Sequence, residues 1–347
     1  ASSFFPSNFK ESAILTIDGV GEWCTASICK GDDKKIEIIK ELHFPHSVGL
    51  LYSAFTYFLG FKVNSGEYKL MGLAPYGIKN SEETKLFIDK IKSEIVDIKD
   101  DGSIFLNQKY FKYTYGLRMI KEKKFKSLFG FNTRKEEEEI TQTHCNMALA
   151  IQNVTEEIVI KMVKETKKLT KLNNLCFSGG VALNCVANGK IEELGLFENI
   201  YIQPASGDAG GSLGAALAIN HMYFDSNRFY SKDYDLMKGS YLGPFFSDKD
   251  ILITNKKYKA KYNYIESFEN LSKEVAKLIS QGNIVGWFQG RSEFGPRALG
   301  NRSILADPRN PNMQKKLNLK IKYREGFRPF APSVLEEDYY DFFEGKT

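Results

Sequence analysis

The most constraining stretch of this sequence runs from Asn174 to His221, where the pattern strand, glycine loop, helix occurs twice in succession. Asn174–Phe177 predicts a strand entering Ser178-Gly179-Gly180-Val181, with a helix through Ala187–Leu194. Asn199–Ile202 predicts a second strand, which enters Pro204-Ala205-Ser206-Gly207-Asp208-Ala209-Gly210-Gly211 and a small-residue helix, Ser212–His221. That order specifies an α/β domain whose loops receive a ligand at the strand ends. Glycine lets backbone approach a bound group closely and frees N–H donors at the next helix start, which suits phosphate or a nucleotide. Neither loop carries the Gly-Lys-Ser/Thr of a Walker site. Each loop alone could be a structural tight turn; the two together favour nucleotide binding.

The rest of the chain is organised around this unit. Ala13–Asp18 is a short β-branched run ending at Asp18-Gly19, and with Trp23–Cys29 and Lys34–His43 it predicts a β-meander over 13–44. Ser47–Phe61 has helical spacing, Asn64–Gly77 reads as a loop, and 80–140 reads as a charged insertion lying away from the centre. Thr141–Leu172 predicts one long helix, with Met147, Ala150, Ile151, Val154, Ile158 and Met162 on one face. A linker of lower hydrophobicity at Asp225–Asp250 marks a boundary; beyond it, Ser267–Gln281 predicts a helix and Ile284–Phe288 a strand. A chain of 347 residues is long for a single core, so two or three domains are expected, and the boundary divides the chain into 1–240 and 241–347.

Three sets of residues could carry chemistry. Asp18 and Asp208 each end a predicted strand beside glycine. They either converge on a metal or cap turns. Gly66–Gly77 is a glycine- and proline-punctuated loop that either lines a site or only connects elements. Gly286–Phe330 carries Arg291, Arg297, Arg302, Arg309, Arg324 and Arg328 with Lys320 and Lys322, interleaved with Trp287, Phe288, Phe294, Phe327 and Phe330. The aromatic neighbours predict partial burial for several of these cations. Three readings stand: a phosphate pocket, internal salt bridges, and stacking on single-stranded nucleic acid. The glycines and Pro296 favour the pocket. The four histidines, His43, His46, His144 and His221, offer no evident ligand pair.

These stretches, in this order, resemble the NodU/CmcH family of O-carbamoyltransferases. The resembling segments are Leu15–Trp23, Gly60–Gly77, Phe177–Gly189, Gln203–Leu217 and Gly286–Pro332. The resemblance implies an actin/sugar-kinase/heat-shock-ATPase-like domain of the threonylcarbamoyltransferase type, followed by part of an α+β YrdC-like domain. The second would make carbamoyl-adenylate from carbamoyl phosphate and ATP with Mg2+; the first would pass the carbamoyl group to an acceptor hydroxyl. By the same resemblance Arg297, Lys322 and Arg328 are catalytic. Arg291, Arg302, Arg324, Ser178, Gly179, Gly180, Asn184 and Gly207 bind carbamoyl phosphate or nucleotide. Asp18 and Asp208 are carboxylate ligands of a divalent metal, Fe(II) in the family, whose His-x-x-x-His pair is expected ahead of Ala1. Lys322-Tyr323-Arg324 is similar to the Lys-x-Arg signature of YrdC-like domains. The chain is therefore read as a piece of a longer protein, short of the start of the first domain and the end of the second.

Charge and composition narrow the partners. A net charge of +5, with acids beside bases nearly everywhere, argues against a general nucleic-acid surface. No apolar run reaches the roughly 18 residues a membrane helix needs. Five scattered cysteines without a CxxC pair fit a reducing cytosol. The expectation is a soluble, cytoplasmic enzyme that acts on a small-molecule acceptor, a sugar-containing metabolite or glycan, with a homodimer as the assembly considered. Its rivals are a sugar-kinase-like phosphotransferase and a tRNA threonylcarbamoyl-modification protein.

Overall fold

Three short runs rich in apolar and β-branched residues fold back on one another through turns at Glu22-Trp23 and Asp33-Lys34 in the computed structural model, which describes residues 1–136, 138–231 and 234–344. The strands are β1 (Glu11–Gly21), β2 (Cys24–Asp32) and β3 (Lys35–His43), an antiparallel meander as the sequence predicts. Then come α1 (Val48–Phe58), α2 (Glu67–Leu73), α3 (Glu82–Lys90), the β4–β5 hairpin (Val96–Ile98, Ile104–Leu106), α4 (Glu122–Phe129) and the long α5 (Gln142–Thr170). The repeated unit follows as β6 (Asn174–Ser178), α6 (Cys185–Glu193), β7 (Asn199–Ile202) and α7 (Gly211–Ala218). The main sheet has the order β3-β2-β1-β6-β7, with β1, β6 and β7 mutually parallel, so the sheet is mixed.

Side chains on β1 alternate between two cores, as a period of two requires. Leu15 faces Met162 of α5, together with Ala26 and Ile28 of β2. Ile14 faces the opposite layer, where Phe4, Phe5, Cys29 and Cys176 are buried with Leu217 and Ala218 of α7 against them. The predicted apolar stripe of α5, Met147, Ala150, Ile151, Val154, Ile158 and Met162, is buried throughout. Each such side chain stabilises the fold by about 1.5–3 kcal/mol relative to exposure. Thr141 opens α5, its N–H donating to His144 Nδ1 at 3.0 Å. Lys171, in the left-handed conformation, closes it.

Three sequence expectations need correction. Asn64–Gly77 is mostly helical, because α2 and a 3-10 turn at Ala74–Tyr76 occupy it. Gly72 is buried in α2 and Pro75 sits in the first turn of the 3-10 segment, where a missing N–H costs nothing. The stretch 80–140 does not lie away from the centre: Phe125 and Phe129 of α4 pack on Phe55 and Phe58 of α1, and Phe111 joins them. Asp225–Asp250 is more than a linker. Its Arg228 is buried, donating to the carbonyls of Asp33 and Phe4 and lying over the rings of Phe4, Phe5 and Tyr230.

The chain divides into two units, residues 1–245 with 290–299, and residues 246–289 with 300–347. Within the first, Gly290–Leu299 is held by Gly243 N–H donating to Ser292 O at 2.9 Å, Phe294 N–H donating to Ser240 O at 2.6 Å and Ser292 N–H donating to Pro244 O at 3.1 Å. The second contains α8 (Asp248–Tyr258), α9 (Phe268–Ser280), the antiparallel pair β8–β9 (Val285–Phe288, Arg302–Leu305), α10 (Met313–Lys316) and α11 (Tyr339–Phe342). All five cysteines are free thiols. Among the described residues no helix is long and apolar enough to cross a membrane.

Candidate functional site

Because β1, β6 and β7 run parallel, their C-terminal ends share one edge, and the loops leaving them are bonded together there. Asp18 Oδ1 accepts from Gly19 N at 2.8 Å and from Gly180 N at 3.1 Å, so one carboxylate oxygen ties the end of β1 to the first glycine loop. Gly179 N donates to Ser206 O at 3.0 Å and ties that loop to the second. Ser47, the N-cap of α1, donates its hydroxyl to the carbonyls of Asp18 and Gly19 at 3.0 and 2.6 Å, fixing the aspartate's backbone. Ser178 Oγ accepts from Ser3 at 3.3 Å.

The glycines of the first loop are dictated by this crowding. Gly179 has φ 94°, and a Cβ there would lie 2.2 Å from Ile17 O; a Cβ on Gly180 would lie 3.0 Å from Asp18 Oδ1. Gly207 differs: a Cβ there would meet nothing nearer than Leu183 Cδ1 at 4.0 Å. Asn184 caps α6 by accepting from Ala187 N at 3.1 Å. Met71 of α2 lies 4.0 Å from Cys185, the first residue of α6, so the Gly66–Gly77 segment borders the same loop.

The structure thus brings Asp18, Ser178, Gly179, Gly180 and Gly207 to one sheet edge, with Asn184 at the start of the helix beyond. Asp208, exposed, opens the short turn after Gly207. Among the described residues no three of His, Cys, Asp and Glu gather to hold a metal. Asp18 has one carboxylate oxygen committed to backbone N–H groups and the other outside those bonds, and Asp208 is exposed; both are oxygen donors of the kind a divalent ion takes. The histidines are spread out: His46 Nδ1 accepts from Leu106 N, and His221 packs on Phe5.

The arginine segment is shared between the units. Arg291 and Arg297 belong to the first; Arg291 donates to Gly243 O at 2.9 Å, and the Arg297 guanidinium lies 4.1 Å from the centre of the Tyr68 ring on α2. Burial pushes the Tyr68 phenol up, and Arg297 offsets part of that. Arg302, Lys322, Arg324 and Arg328 belong to the second unit. There the buried Asn318 organises a loop, accepting from Arg324 Nε at 2.7 Å and donating to Arg328 O at 2.8 Å. Arg324 stacks over Phe330, and burial followed by the neighbouring Arg328 charge pulls its guanidinium down. The aromatic interleaving does not bury the whole set, since Arg291, Arg297, Arg302 and Lys322 are exposed. Arg309 is an internal salt bridge, making two bonds to Asp307 at 2.8 and 2.7 Å.

Sequence reading missed Tyr52, Gln152 and Glu156, a buried polar set next to Asn184. The available signal was Gln152 and Glu156, one helical turn apart and flanked by the apolar positions of α5.

Residues 1–217 match the family model described as Carbamoyltransferase N-terminus, and residues 276–347 match Carbamoyltransferase C-terminus. The chain is 54% identical over 346 residues to an uncharacterized Synechocystis protein, covering 99% of this chain and 55% of that one. It is 36% identical to nodulation protein NolNO of Sinorhizobium fredii, covering 99% of this chain and 47% of the relative. It is 34% identical to nodulation protein NolO of Bradyrhizobium diazoefficiens, covering 99% and 58%. The chain spans about half the length of these relatives.

Proposed function

Because the chain belongs to the carbamoyltransferase family, we propose that the protein carrying it is an ATP-dependent O-carbamoyltransferase working in two stages. Carbamoyl phosphate, ATP and water give carbamoyl-adenylate, phosphate and pyrophosphate at a YrdC-like second domain. The acceptor hydroxyl then attacks the carbamoyl carbon at an actin-like first domain; the C–O bond to the phosphate breaks, AMP leaves, and the hydroxyl proton is released. The acceptor class is a hydroxylated small molecule or glycan.

The observation that carries this reading is the first glycine loop bonded to Asp18 and, through Gly179, to the second glycine loop at one sheet edge, in a chain whose two ends match the two carbamoyltransferase models. The N–H groups of Gly19, Gly179 and Gly180 are spent within the fold; the exposed first residues of α6, Cys185 and Val186, offer a helix start that suits the phosphate of the leaving AMP, whose charge grows as its bond to the carbamoyl carbon breaks. Lys322 and Arg328 of the second unit are assigned to carbamoyl phosphate and the nucleotide phosphates, with Arg302 and Arg324 in support; Arg291 and Arg297, given the same role by the resemblance, belong to the first unit. Planar guanidinium forks match phosphate oxygens in pairs. Asp18 and Asp208 are assigned as two ligands of a divalent ion, Fe(II) by the family resemblance, with the other ligands outside these residues. Such an ion would polarise the carbamoyl carbonyl.

The test is to supply the intact protein with ATP and carbamoyl phosphate. Release of pyrophosphate, then of AMP when a hydroxylated acceptor is added, is the expected result. Formation of ADP with a phosphorylated acceptor would overturn it.

A further inference from the structure

Beside the first glycine loop lies a closed polar cluster drawn from three helices. Gln152 of α5 uses every hydrogen-bonding position of its amide. Its Nε2 donates to Glu156 Oε1 at 2.8 Å and to Asn184 Oδ1 at 3.1 Å, while its Oε1 accepts from the Tyr52 hydroxyl at 2.7 Å and from Asn184 Nδ2 at 3.1 Å. Gln152 and Asn184 thus form a reciprocal amide pair. Asn184 meanwhile spends the same Oδ1 on the Ala187 N–H that starts α6, and Lys190, farther along α6, is bound by Glu156 Oε2. Gln152 is 2% exposed, Glu156 3%, Tyr52 6% and Asn184 8%, so the cluster excludes water.

Packing alone does not call for such a cluster. Buried polar and charged groups pay desolvation that apolar side chains of similar volume avoid, and they hold only when every member is satisfied. What this arrangement does supply is a single position for Asn184, and with it the exit of the loop that begins at Gly179 and the direction of the first turn of α6. The first two residues of that helix, Cys185 and Val186, are exposed, while Ala187 N–H is taken by the cap.

We infer that Gln152 is a positioning residue for the nucleotide-bearing substrate, acting through its amide pair with Asn184 to fix the start of α6, which receives the adenylate phosphate. This rests on the proposed carbamoyl transfer at the first domain. Gln152 touches no substrate; it sets the geometry of the group that leads into the helix start.

Two substitutions isolate the link. Asn184→Ser keeps a capping acceptor for α6 but is too short to reach Gln152. Gln152→Ala removes the pair and leaves the cap. Transfer from supplied carbamoyl-adenylate is measured in the intact protein, with thermal midpoints recorded for each variant. Each single change is expected to raise the KM for carbamoyl-adenylate roughly tenfold, as loss of a buried hydrogen bond does, with kcat within threefold of wild type. The double variant is expected to be no worse than either single one, because both break the same contact. If Gln152→Ala does not fold, Tyr52→Phe takes its place, removing one bond from the Gln152 amide with an expected two- to threefold rise in KM. A wild type that transfers nothing sinks the carbamoyl-transfer reading and this inference with it. An active wild type whose single variants stay within twofold sinks the inference alone. So does a double variant whose KM increases multiply to about a hundredfold, because two residues acting on binding independently would add their free energies in that way.

Discussion

Replacing Gly179 with alanine tests the idea that the first glycine loop is fixed by the fold. The residue has φ 94° and ψ 159°, a region only glycine enters freely, and occupying it costs any other residue about 1–3 kcal/mol. The new Cβ would stand 2.2 Å from Ile17 O, 2.5 Å from Ile17 C and 2.8 Å from Ile17 N. These are backbone atoms of β1, a strand bonded on both sides, so they cannot swing aside as a side chain would. Overpacking of this kind adds about 1–3 kcal/mol, giving roughly 2–6 kcal/mol in all. For a domain of this size each kcal/mol lowers the thermal midpoint by about 2–4 °C, so a fall of roughly 4–24 °C is expected. The control is Gly207→Ala, where φ is −80° and the nearest atom lies 4.0 Å away. There the midpoint should stay within about 2 °C, since alanine at a compatible site also trims unfolded-state entropy. Differential scanning calorimetry on both variants decides the matter. Equal midpoints for Gly179→Ala and wild type would refute the argument that Ile17 dictates the glycine. If Gly207→Ala keeps its stability but loses transfer activity, that glycine serves the ligand.

Three further outcomes follow from the same geometry. Asp18→Asn keeps an oxygen for the N–H groups of Gly19 and Gly180, so the thermal midpoint should hold while carbamoyl transfer falls about a hundredfold or more; an active Asp18→Asn enzyme would remove Asp18 from the proposed ligand set. Arg228→Lys loses the planar fork that reaches the carbonyls of Phe4 and Asp33 and should cost about 2–3 kcal/mol, read by denaturant titration, with an unchanged midpoint counting against it. At Asp101 burial pushes the carboxyl up, but bonds from Lys40 at 2.5 Å and from Ser103 outweigh it and hold the group well below the usual range. Its folded value lies below the unfolded one of about 4, so its contribution is complete above that pH and fades as pH falls further. Asp101→Asn should therefore be less stable than wild type at pH 7 by about 1 kcal/mol, the ions being partly exposed. The gap should close in strong acid; a gap that widens there would refute the assignment.

Where one physical signal dominated, the sequence could be read directly. The strands β1 and β6 announce themselves as short apolar runs because both of their faces are buried, and the α5 helix through its 3.6-residue spacing. The α2 helix was obscured because Gly66, Gly72 and Pro75 look like loop punctuation, although Gly66 and Pro75 sit at its ends and Gly72 is buried. The aromatic core joining α4 to α1 was hidden by the lysines around Phe125 and Phe129, which hold the exposed side of a short helix. The placement of Asp18, Gly179 and Gly180 at one sheet edge was legible from residue type and strand position. The Gln152–Asn184 pair was not, because it joins residues 32 positions apart and neither partner shows its role alone.

The division of residues between the units also bears on how the polypeptide reaches its native state during synthesis. Gly290–Leu299 completes the first unit, supplying the buried Ser292 and Glu293 and the bonds to Ser240, Gly243 and Pro244, yet it is translated after Phe246–Gln289 of the second. A ribosome that has delivered the chain only as far as Phe245 has therefore not delivered every piece the first unit uses. Its final consolidation waits for a segment that arrives embedded in the next unit, which links the folding of the two in time as well as in sequence. No single cut in the chain separates them cleanly.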